Sequence, residues 1–148
     1  MDRNDFFKLT EKRLFRYADH IAQIEELKDE LSIMEATGDI KAQSYKQGGV
    51  FSHGIKNPVL DYVERVIKIE AKMARLENDT RPITRAIKDM ERDKENALSR
   101  DFMILFKLFY CDKHDLQEIA AIIEKNRRTL YSRRRDFVKV IASYFSDS

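Results

Sequence analysis

All four glycines of this chain, Gly38, Gly48, Gly49 and Gly54, fall between positions 38 and 54, and the two prolines, Pro58 and Pro82, follow them. A sheet protein needs turn residues at every reversal of direction, spread along its length. Turn chemistry confined to one segment points instead to long helices on either side of it. The composition agrees, since 43% hydrophobic and 36% charged residues suit amphipathic helices with solvated outer faces and exclude disorder along most of the length. At 148 residues the chain fits one compact domain, or one small domain carrying an extended arm.

From Leu14 onward, Tyr17, Ile21, Ile24, Leu27, Leu31 and Met34 recur at steps of three and four, the spacing that lines one face of a helix. The segment 37–57 has no such period and is expected to be a flexible loop, with Phe51 and His53 as candidate contacts within it. Asn57 before Pro58 reads as a cap followed by a first helical residue. Val59, Tyr62, Val66, Ile69, Met73 and Leu76 then alternate steps of three and four, and the phase continues through Thr80, Ile83, Ile87 and Met90. Pro82 falls inside that run and predicts a kink or short break near Asp79 to Arg81. The two long helices fold back as an antiparallel hairpin or pair between chains; the spacing allows both. Phe102, Leu105, Phe106 and Phe109 mark a further, more apolar helix with Ser99 as its expected cap, and Cys111 at its end reads as a small buried residue.

The net charge of +2 conceals an asymmetry. Up to Ala36 there are six Lys/Arg against nine Asp/Glu, whereas from Leu98 to Ser148 there are ten against seven. Six of those ten lie between Arg127 and Lys139, and no acid lies between Arg127 and Arg135. Just before this run, Asp115 and Glu118 stand as a capping box, and Leu116, Ile119, Ile123 and Leu130 surround Ala120 with a break at Glu124 to Asn126. That is helix-turn-helix spacing, with Ala120 small enough for a close crossing and Asn126 capping the second helix. With Leu130, Phe137 and Ile141 turned inward, Arg128, Tyr131, Ser132 and Arg135 turn outward, with Arg127 at the leading edge. Arginine in the first turns of such a helix can bond guanine bidentately. The expected DNA-binding set is Arg127, Arg128, Thr129, Tyr131, Ser132, Arg133, Arg134, Arg135 and Lys139, with Arg133, Arg134 and Lys139 assigned mainly to phosphates and the stem of Arg134 near enough to the apolar stripe to cover core.

Residues 98–148 resemble the region-4 helix-turn-helix of bacterial sigma factors. The whole chain, with its first helix, glycine-bearing loop, NPVLDYVERVIKIE helix and terminal helix-turn-helix, resembles phage late-gene transcriptional activators of the RinA and ArpU kind. The turn departs from the usual motif, carrying Glu124, Lys125 and Asn126 where a glycine and an apolar residue are common. The resemblance implies a phage or prophage regulator that acts on double-stranded DNA in a bacterial cytoplasm, with host RNA polymerase as a second partner.

The expected architecture is therefore all-α: a long antiparallel helical hairpin, or coiled-coil-like arm, over 1–97, followed by a helix-turn-helix domain over 98–148. An enzyme has little support, because the chain holds no Gly-rich phosphate loop, no Ser/His/Asp grouping and no ligand-spaced His/Cys cluster, so no cofactor or metal is expected. The single cysteine, the absence of a long apolar run and the charged start MDRNDFFK predict a cytoplasmic protein away from membranes. Two other readings stay open: a packaging protein of the phage small-terminase kind, or a helical protein–protein adaptor. Self-association through the long helices is expected with any of them.

Overall fold

The computed structural model describes the backbone of residues 2–48 and 58–146 and the side-chain environment of 2–37 and 58–145. Among the described residues five helices follow in order: α1 (Arg3–Gly48), α2 (Pro58–Arg92), α3 (Ala97–Leu105), α4 (Leu116–Ile123) and α5 (Arg127–Ser146), with a π-helical turn, Phe106–Cys111, continuing α3. The fold is all-α, without a strand among the described residues. No helix among them is long and apolar enough to cross a membrane.

The long helices α1 and α2 form an antiparallel hairpin. Near the start of α1 the Tyr17 hydroxyl meets Thr84 at 2.8 Å, and further along Glu30 lies 4.0 Å from Arg65. The predicted seam is used within the chain: Leu14, Ile24 and Met34 of α1 are buried, as are Ile69, Leu76, Thr80, Ile83 and Met90 of α2. Helix α1 runs on through Gly48, past residue 37 where a loop was expected. Lys41, Ala42, Gln43, Lys46 and Gln47 are good helix formers, so a missing apolar stripe does not end the helix. Asn57, Phe51 and His53 lie outside the described residues, while Pro58 opens α2 as the first helical residue.

No break interrupts α2 at Pro82. Pro82 cannot supply an amide to the Asn78 carbonyl, a loss of about 3 kcal/mol in a helix interior. It is itself buried, and Thr80 and Ile83 beside it are almost fully enclosed, so burial on the seam holds the backbone helical through the defect.

The chain divides into two compact units, residues 21–77 and residues 1–20 together with 78–148. This differs from a boundary at 97/98, and the second unit's core shows why. Leu14, Phe15 and Tyr17 of α1 and Ile83, Ala86 and Met90 of α2 join the same apolar cluster as Phe102, Tyr110, Phe137, Val138 and Ile141. Phe15 contacts both Phe109 and Tyr110, with centroids 5.2 and 4.8 Å apart. Tyr110 in turn lies 5.7 Å from Phe137 of α5. Edge and tilted ring contacts of this kind add about 0.5–1.5 kcal/mol each beyond area burial.

Two local details set the direction of the chain entering the helix-turn-helix. Asn96, not Ser99, caps α3: its Oδ1 accepts the amides of Leu98 at 2.9 Å and Ser99 at 3.4 Å. Asparagine reaches these amides from the non-helical capping position, whereas Ser99 lies inside the first turn and donates its hydroxyl to Asp93. The π turn then bonds residues five apart, as the Asp112 amide to the Lys107 carbonyl at 2.9 Å. Leu105 and Tyr110 are both 0% exposed but enter different cores, Leu105 beside Leu116, Ile119 and Leu130 and Tyr110 beside Phe102 and Phe137.

Candidate nucleic-acid interface

Helix α4 begins where the sequence places it, with the Asp115 carboxylate accepting the Glu118 amide at 2.8 Å. Glu118 does not reach back in return; it pairs with His114 Nδ1 at 2.8 Å. Leu116, Ile119 and Leu130 enclose a small core with Leu105, and Ala120 and Ile123 lean against it. The turn holds Glu124 in the left-handed region at φ 56°, ψ 35°. With Glu124 so placed, both its own amide and that of Lys125 reach back to the Ala120 carbonyl, ending α4 in one step. Asn126 then caps α5 by accepting the Thr129 amide at 2.8 Å. Three residues therefore separate a short helix from a long one, as expected of a helix-turn-helix.

On α5 the buried stripe is Leu130, Phe137 and Ile141, with Val138 beside it. On the opposite side, at spacings of four, three and four, lie Arg128, Ser132, Arg135 and Lys139, of which the three cations are exposed and Ser132 half-buried. Exposed Tyr131 and Arg127 flank this row, and Arg127 donates to Gln117 of α4 at 3.1 Å. Half-buried Thr129 lies toward the other edge.

The remaining two arginines of the run are engaged inside the molecule. Arg134 forms a two-pronged pair with Glu11 of α1, Nε donating at 2.7 Å and Nη2 at 2.6 Å. Glu11 also accepts the Tyr110 hydroxyl at 2.8 Å, and the Arg134 guanidinium sits 5.4 Å from the Phe109 ring centre. The side chains of Arg134 and Glu11 are only 27% and 13% exposed, so this pair is a structural tie between α1 and α5. The Glu11 hydrogen bond holds the Arg134 proton more firmly still. Burial, followed by the charge of Glu11, pushes the Tyr110 hydroxyl far above its ordinary value. Arg133 donates to Asp101 of α3 at 3.2 Å, and Lys125 of the turn donates to both oxygens of the same carboxylate at 2.6 Å. Burial works to raise the Asp101 carboxyl, but hydrogen bonds from Lys125 and then Arg133 outweigh it and leave Asp101 below the usual range. Asp101 thus offsets one of the two positive charges of Lys125 and Arg133 while tying both residues to α3.

Apart from Thr129 at the edge, the set expected from the sequence divides into two groups. Arg127, Arg128, Tyr131, Ser132, Arg135 and Lys139 come together on the outer side of α5, whereas Arg133 and Arg134 are drawn toward carboxylates of other helices. Glu11, Asp101 and Tyr110, which fix the helix, were missed, and no local signal marks them: Arg134 finds Glu11 123 residues away in the chain. Cys111 is only half-buried, and burial followed by the neighbouring Asp112 raises its thiol above the ordinary value. No family model, curated protein or solved structure matches this chain.

Proposed function

We propose that the protein is a sequence-specific regulator of transcription that binds double-stranded DNA through the outer face of α5, and, following its resemblance to phage late-gene activators, that it acts on a late promoter with host RNA polymerase in a bacterial cytoplasm. The observation that carries this reading is the row Arg128, Ser132, Arg135 and Lys139, opposite the buried stripe of a helix that follows a three-residue turn. A helix of this diameter fits the major groove, where arginine recognises guanine and hydroxyls hold phosphates. Arg128 lies in the first turn of α5, the part of a recognition helix that meets base edges. Arg127 and Lys139 are placed to hold the backbone on either side. The reading assigns the protein no catalysis and no cofactor.

Salt dependence tests it. Four exposed cations, Arg127, Arg128, Arg135 and Lys139, release about four counterions, so duplex affinity should fall roughly 100-fold between 50 and 200 mM salt. A fluorescent duplex taken from a pool selected for binding is titrated at several salt concentrations. A protein–protein adaptor that ignores DNA would leave its anisotropy flat at every concentration, and that result would retire the proposal.

A further inference from the structure

Helix α2 carries a second apolar stripe that its seam with α1 does not use. Leu60, Val63 and Ile67 are 54%, 43% and 58% exposed, and exposed Ala71 and Ala74 continue the row at spacings of four and three. Val63 and Ile67 each follow a half-buried seam residue, Tyr62 or Val66, by one position. One position turns the helix by about 100°, so this row faces another side. A contiguous apolar row on the outside of a two-helix unit marks an interaction surface.

We infer that Leu60 to Ala74 is a self-complementary interface through which two copies of the chain pair α2 against α2, antiparallel, about Ile67. Sizes and charges both select this arrangement. With Ile67 facing its counterpart, reversal of direction sets Leu60 against Ala74 and Val63 against Ala71, large against small, which lets the helices approach closely. One flank of the row carries exposed Asp61 and Glu64 toward its beginning and exposed Lys68 and Arg75 toward its end. The two-fold axis lays that flank along its own reversed copy, so Asp61 comes within two residues of level with Arg75, and Glu64 within two of Lys68, about 3 Å along the axis. A parallel pairing would lay this flank against the opposite one, whose Val59, Val66, Glu70 and Glu77 offer Asp61 and Glu64 no cation. A different protein in this place would need a matching acid-to-base gradient of its own; a second copy supplies it by symmetry. Because α2 is already a 35-residue helix within the folded chain, pairing incurs no cost of forming helix.

The seam between α1 and α2 is occupied within the chain and takes no part in this contact. The inference is also independent of DNA recognition, since dimerisation can be measured without a duplex.

Sedimentation equilibrium of the full chain reads the dimer. Ile67→Glu should weaken it at least 100-fold with helical circular dichroism unchanged. Glu64→Lys and Lys68→Glu should each weaken it roughly five- to tenfold by placing like charges together, and the double variant should restore it. Direction is read by cross-linking in a Cys111→Ser background. Mild oxidation of mixed Leu60→Cys and Ala74→Cys chains should give the mixed disulfide dimer, with little from either chain alone. A monomer at high micromolar concentration overturns the inference, showing that the stripe is covered by the chain itself or kept for another partner. Same-position cross-links without the mixed one overturn the antiparallel register.

Discussion

Replacing Glu124 by glycine tests the turn of the helix-turn-helix in a way that separates backbone geometry from charge. Glu124 sits at φ 56°, where a side chain with a Cβ carries a steric cost of about 1–2 kcal/mol. Glycine removes that cost but brings about 0.5–1 kcal/mol of extra backbone entropy to the unfolded chain. The net expectation is a gain of about 0.5–1 kcal/mol, or a melting temperature higher by about 1–4 °C for a chain of this size. Glu124→Ala serves as the control, because it removes the same carboxylate while keeping the Cβ. Urea unfolding followed by circular dichroism should therefore show a higher midpoint for Glu124→Gly than for Glu124→Ala, at equal slope. Duplex affinity should rise by the same factor in both, since each removes one acid from beside the proposed DNA face. Equal midpoints for the two variants would refute the claim that this turn stores backbone strain. Unequal duplex affinities would refute the separation of geometry from charge.

Arg128→Ala and Arg135→Ala should each reduce discrimination between preferred and scrambled duplexes by about 1–3 kcal/mol in competition binding, with thermal stability nearly unchanged. Arg134→Ala should do the reverse: it leaves the largely buried Glu11 without its cation and should cost about 2–3 kcal/mol in denaturant unfolding, while the remaining folded protein keeps its base preference. The depressed Asp101 carboxyl contributes stability that is fully present above its unfolded value of about 3.9 and is lost as the pH falls through its lower folded value. The stability difference between the wild type and Asp101→Asn should accordingly shrink as unfolding curves are taken from pH 6 to below pH 4. Phe137→Ala, which empties the ring site shared by Phe102, Phe106 and Tyr110, should cost about 3–5 kcal/mol.

Periodicity made the helices legible because each buries one stripe along a single seam. The alternation from Tyr62 to Met90 follows the half-buried and buried positions of α2, and the caps at Asp115 and Asn126 depend only on residues within one turn. The errors came where a distant contact outweighs a local rule. Pro82 predicts a kink or a short break from its own ring geometry, and of the two the break is absent, because the seam on both sides holds α2 continuous. Arg133 and Arg134 read as phosphate contacts in a run without acids, and each finds an acid within the chain, on α3 and α1. Helical phase marked Arg134 as close to the apolar stripe without naming its partner. Tyr110 follows Phe106 by four and fits the spacing, but nothing local names Glu11, 99 residues away, as its partner.

The π-helical turn leaves the chain with slack of one residue between α3 and α4. Deleting exposed Lys107 would turn the five-residue bonds of this segment into the four-residue bonds of an ordinary α-helix. An added residue at the same place would have no such remedy. Shortening by one is thus the length change this segment can absorb, and lengthening is the one it cannot.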